Sequence, residues 1–132
     1  MDTVKPPYAE RLKDPGFESG RELLDLIADK WTLLVIEALA EAGELRFSRL
    51  QQEVGGISQK MLTKTLRKLE RYGLVTRHVL PVIPPHVDYR ITALGESLGE
   101  AVCGIWKWHQ SNCAQVVAAR DVFDAKSNKA KV

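Results

Sequence analysis

The sequence predicts a mostly α-helical domain with one small β-hairpin and a long last helix. Three observations predict it. Apolar residues recur at three- and four-residue spacing through most of the chain, as on helices with one buried face. Between Leu74 and Ile91 the pattern turns β-branched and alternating, broken by PVIPPH, whose three prolines suit neither a helix nor a central strand. From Thr92 onward the helical spacing returns and meets no further proline.

Length and composition set the frame for these elements. A chain of 132 residues has room for one domain, and 45% hydrophobic residues can supply its core. No apolar run approaches the roughly 18–20 residues of a membrane span, so no membrane partner is expected. The first residues, MDTVKPPYAERLKDPG, lack the apolar stretch of a secretory signal, and the expectation is a cytoplasmic protein. Residues 1–18, rich in proline and charge, read as an N-terminal arm. Residues 19–120 form the domain, and 121–132 a polar tail that frays.

The elements follow in order. A helix is expected from Gly20 to Ala28 with Leu23, Leu24 and Ile27 on one face. Asp29 can cap the next helix, KWTLLVIEALAEAG, which presents Trp31, Leu34, Val35, Ala38 and Leu39 and stops at Gly43. A short extended piece, ELRF, leads into FSRLQQEVG, a short helix that uses Phe47, Leu50 and Val54. Gly55 and Gly56 make a turn. Ser58 stands where an N-cap is wanted for the helix that ends at Gly73. LVTRHVL and HVDYRI are the two strands of the hairpin. Thr92 can cap the last helix, whose Leu94, Leu98, Val102 (or Ala101), Ile105 and Trp108 or His109 share a stripe.

Charge is concentrated rather than spread. Residues 46–90 hold nine basic and three acidic residues, a balance of +6, while the remainder holds ten basic and fourteen acidic, or −4. A basic middle in a mildly acidic protein suits a polyanion, although by itself such a run also suits a solvated face. The helix after Ser58 sharpens the choice. On a wheel of ~100° per residue, Leu62, Leu66 and Leu69 fall together with Met61, Thr65 and Tyr72. Lys60, Lys64, Arg67, Lys68 and Arg71 fall on the other side.

Two short helices joined by a tight glycine turn, the second with a basic face, are the parts of a helix-turn-helix. A hairpin directly after them makes a winged helix-turn-helix. A helix fits the major groove of DNA, and Gln59, Lys60, Thr63, Lys64 and Arg67 are the side chains presented to bases there. Lys68 and Arg71 lie further along, toward the backbone, and the N–H groups beside Ser58 can receive a phosphate. Arg49, with Ser48 and Gln51, belongs to the helix that crosses the backbone. Arg77, His86 and Arg90 sit on the wing.

These residues resemble a known family. DKWTLLVIEAL, LRFSRLQQEVGGISQKMLTKTLRKLERYGLVTRHV and VIPPHVDYRITALGESL look like the HxlR-type winged helix-turn-helix regulators, in order from Gly20 to Trp108. The resemblance implies a MarR-like fold and a bacterial or archaeal transcription regulator. It implies binding to double-stranded DNA as a homodimer on a pseudo-palindromic operator. Carried over residue by residue, Ser58, Gln59, Lys60, Thr63, Lys64 and Arg67 fall on the family's recognition helix. Two departures stand out. Several members sense oxidants through a cysteine about a dozen residues before the K-W pair, where this chain has Glu18 and Ser19. The wing commonly has a basic residue after P-P, where this chain has His86. A histidine gains charge on acidification, so the expected wing grip strengthens at lower pH.

The last helix argues separately for a dimer. Read from Thr92 to about Ala119 it spans ~40 Å, more than a domain of this size covers with its own surface. Leu98, Val102, Ile105, Trp106 and Trp108 are expected to meet a second copy, together with Leu23 and Ile27 of the N-terminal helix. Gly95, Gly99 and Gly104 suggest close helix approach at that interface. Cys103 and Cys113 are ~15 Å apart along one helix, beyond the reach of an intrachain disulfide, and read as buried free thiols, with oxidation sensing or an interchain bond as the alternatives. A hydrophobic space between the long helix and the body is the candidate place for a small-molecule effector of unknown identity.

No Ser-His-Asp set, phosphate loop or metal-ligand spacing is present in the sequence, and His78, His86 and His109 have no partners at useful spacing. An enzyme is therefore not expected, nor a metal or cofactor. The other class of function open to the sequence is a winged-helix protein-interaction module. Such modules usually lose the basic face that this chain keeps.

Overall fold

The computed structural model describes residues 15–130, together with Glu10 and Lys13. Among these residues five helices and three strands are described, in the order α1 (Pro15–Ile27), α2 (Lys30–Ala42), β1 (Glu44–Arg46), α3 (Phe47–Val54), α4 (Gln59–Arg71), β2 (Val75–Leu80), β3 (His86–Ile91) and α5 (Ala93–Ala130); most of the expected N-terminal arm lies outside them. The architecture is a winged helix-turn-helix with a long C-terminal helix, as the hydrophobic periods predict.

Each main helix starts on a side chain suited to the task. The Asp29 carboxylate accepts the Trp31 N–H at 3.2 Å and the Thr32 hydroxyl at 3.4 Å, which starts α2 and satisfies a hydroxyl that is fully buried. Ser58 Oγ accepts the Met61 N–H at 3.0 Å and starts α4. Between α3 and α4, Gly55 and Gly56 hold φ at 65° and 81°, a left-handed pair that side chains with a Cβ resist. Thr92 has two roles. Its hydroxyl accepts the Gly95 N–H at 3.0 Å, capping α5, and donates to the Gly73 carbonyl at 2.7 Å, tying α5 to the end of α4.

The core lies where α2, α3 and α4 meet the sheet. Val35, Ile36 and Leu39 of α2, Leu50 of α3 and Leu62, Leu66 and Leu69 of α4 are buried together with Val75 and Tyr89. Phe47 lies tilted against Tyr89, ring centroids 6.4 Å apart, in the range where an aromatic pair attracts.

Several expectations are revised. The hairpin is the larger part of a three-stranded sheet of order β1-β3-β2, in which Glu44, Leu45 and Arg46 pair antiparallel with Arg90, Tyr89 and Asp88. On α1 the residue buried against the body is Leu26, whereas Leu23 and Leu24 are exposed. The last helix continues through the stretch read as a fraying tail and ends at Ala130. Its 38 residues span ~57 Å.

The glycines of α5 also have a different explanation. A Cβ on Gly95 would run into the Leu74 carbonyl and the Ile91 side chain, and one on Gly99 would lie 3.0 Å from the Ala40 Cβ. Both serve packing within the chain, while Gly104 faces open space. Val102 is buried within its own chain and is not free for a second copy, while Leu98 packs partly against the core. Cys103 is exposed and Cys113 half-buried, both as free thiols, because α5 leaves the body after Val102.

Candidate nucleic-acid interface

Helix α4 divides its residues between two tasks. Leu62, Thr65, Leu66 and Leu69 are buried and fasten it to the body. Gln59, Lys60, Thr63, Lys64, Arg67, Lys68 and Arg71 are all exposed. None of these cations has a carboxylate partner among the described residues, and Arg71 instead lies 5.6 Å from the Tyr72 ring. Five positive charges thus stand on one helix face without neutralisation. Such a face attracts a polyanion. The Thr63 hydroxyl donates to the Gln59 carbonyl at 2.9 Å, so its contribution outward is a methyl group and a free lone pair.

The turn before α4 is held by a bond that sequence reading did not find. Gln51 Nε2 of α3 donates to the Ile57 carbonyl at 3.2 Å. It ties the first helix of the pair to the residue just before the N-cap of the second. A side chain assigned to the DNA backbone is therefore engaged inside the protein, and no local pattern marks a contact six residues away. Arg49 is exposed, with its guanidinium 3.0 Å from Glu53 one turn later. An exposed pair of this kind is weak enough for a phosphate to compete with it.

The wing carries its charges unequally. Arg77 is exposed on β2. Arg90 pairs with Glu44 across the sheet at 3.2 Å. His86 is half-buried, its Nε2 3.8 Å from the Asp88 carboxylate of its own strand. His78 shares a 2.9 Å hydrogen bond with the Thr76 hydroxyl.

Elsewhere the surface has the opposite sign. A cleft of about 590 Å³ between α2, α3 and α5 is lined by Glu37, Glu41, Glu53, Glu96 and Glu100. The space beside the long helix is thus mixed, its glutamates set among Leu34, Ala38, Ala40, Val54 and Cys103. Among the described residues no helix is long and apolar enough to cross a membrane, and no three His, Cys, Asp or Glu side chains come together as metal ligands.

Comparison with known proteins decides the family. The model of the HxlR-like helix-turn-helix matches residues 26–117. The chain belongs to that family. Among HxlR-like relatives is an uncharacterized HTH-type transcriptional regulator, YtfH of Escherichia coli K12. It is 43% identical over 101 residues, which cover 76% of this chain and 79% of that protein. The YtfH structure from Salmonella typhimurium matches with a TM-score of 0.70 and 40% identity, over 77% of this chain and 90% of that one. The reduced form of the transcriptional regulator YodB from Bacillus subtilis matches with a TM-score of 0.62 and 33% identity, over 76% and 94%. In this HxlR-like chain the family match ends at residue 117, and the last turns of α5 lie outside it.

Proposed function

We propose that this HxlR-like protein is a transcription regulator that binds double-stranded DNA as a homodimer on a pseudo-palindromic operator. The observation that carries this reading is the division of α4, in which a buried apolar set leaves five unpaired cations facing out. A helix so mounted fits the major groove. Gln59, Lys60, Thr63, Lys64 and Arg67 then face base edges, and Lys68 lies over the backbone. Ser58 opens the helix, where backbone N–H groups receive a phosphate. Arg49 and Arg77 add grip from the preceding helix and the wing.

A second copy meets the first along the part of α5 that leaves the body. Ile105, Trp106 and Trp108 are exposed there, and Leu23 and the half-buried Ile27 of α1 are available as well. A two-fold pair sets two recognition helices one turn of DNA apart, about 34 Å. The HTH-type regulators to which the chain is similar are not enzymes, and catalysis has no part in this reading.

Titration of duplex DNA with the purified protein tests it. Six or more phosphate contacts predict a loss of affinity of ~10³-fold or greater between roughly 50 and 200 mM salt. Absence of binding at the lower salt overturns the reading.

A further inference from the structure

The tip of the hairpin has no task in the reading above. Between β2 and β3 the chain runs Pro81-Val82-Ile83-Pro84-Pro85, without a charge or a hydroxyl. All five residues are exposed, and Ile83 is exposed to 101% of its reference surface. A phosphate needs a cation, a hydroxyl or a backbone N–H. This tip has no such side chain, and its three prolines also lack the N–H.

What the tip does offer is shape and stiffness. The prolines fix φ near −65°, so little freedom remains to be lost when the tip is held. Val79 and Val87 pair directly behind it, across the last rungs of the ladder. Arg77, two residues before Val79, is exposed and unpaired among the described residues. A stiff apolar point with a cation on its stem matches one feature of DNA. That feature is the minor groove, where isoleucine and proline side chains wedge between base steps while cations hold the phosphates on either side.

We infer that the wing tip is an apolar wedge. Ile83 enters the minor groove beside the half-site read by α4, partly unstacks one base step and bends the duplex. The wedge rests on the DNA-binding reading and adds an activity to it, the deformation of DNA. It also adds a source of specificity at positions that no polar side chain touches. Pyrimidine–purine steps open most easily, so a TA or CA step is favoured under the tip.

The test uses duplexes that the full-length protein selects from a random pool, with 2-aminopurine placed in the flank of the site and dyes at the two ends. The wild-type protein is expected to raise the 2-aminopurine fluorescence at one step and to shorten the end-to-end distance. Ile83→Ala is expected to abolish both signals and to weaken binding about tenfold. It should leave the slope of affinity against salt unchanged, because an apolar contact releases no counterions. Ile83→Lys should steepen that slope without restoring the fluorescence. The side chain is wholly exposed, so both variants should keep the wild-type circular dichroism and melting.

An Ile83→Ala protein that binds, unstacks and bends as the wild type does overturns the wedge and leaves the DNA reading standing. A wild-type protein that binds no duplex at about 50 mM salt overturns the DNA reading, and the wedge with it.

Discussion

At the residue scale, the side chains of α4 separate holding from reading. Leu66 is 1% exposed, so a carboxylate there would be buried among leucines. Leu66→Asp is expected to abolish the cooperative thermal transition. Lys64 and Arg67 are exposed and form no ion pair among the described residues, and Lys64→Ala or Arg67→Ala should cost about 1–3 kcal/mol in operator binding. Their melting temperatures should stay at the wild-type value. Ser58→Ala removes the 3.0 Å cap of α4 and should lower stability by about 1 kcal/mol in a denaturant titration. The caps at Asp29, Ser58 and Thr92 are legible in the sequence because a cap is a local event, settled by one side chain and the next turn. The bond from Gln51 to Ile57 is not legible, because it depends on how two helices cross. Nor is the turn of His86 toward Asp88, which requires knowing which face of β3 is covered.

At the scale of elements, the glycines of α5 show how one residue type serves different ends. Gly95→Ala would force the start of α5 away from Leu74 and Ile91, an overpacking expected to cost roughly 1–3 kcal/mol. Gly104 has nothing within 4 Å, so Gly104→Ala should instead raise stability by up to about 1 kcal/mol through helix propensity. Denaturant titration of the two variants should show opposite signs. The sequence marks all three glycines as costly to a helix but does not say what each one faces. The short extended piece that becomes β1 is legible, but its pairing to β3 is not, because it joins segments more than forty residues apart. The end of α5 escapes because polarity is a poor guide to fraying. The helix continues through it to Ala130 although Asp121, Val122, Phe123, Asp124, Ser127 and Asn128 are weak helix formers.

At the scale of the whole molecule, charge is distributed by location. The cations collect on α4 and the cleft beside α5 is lined by glutamates, so the net charge of +2 conceals two opposed surfaces. A polyanion approaching such a body is turned toward α4 before it makes contact. The part of α5 that leaves the body should govern assembly. Ile105→Asp or Trp108→Asp is expected to weaken the proposed dimer by about 2 kcal/mol or more in sedimentation equilibrium. A monomer would retain the fold, because both side chains lie outside the core. The division of α4 has one more consequence, and it concerns descent rather than mechanism. Residues 59, 60, 63, 64 and 67 owe nothing to the rest of the body, so they are free to drift while the scaffold is held by Leu62, Thr65, Leu66 and Leu69. After a gene duplication, such a protein can acquire a new address on the chromosome by exchanging a handful of outward side chains, without first passing through an unstable ancestor.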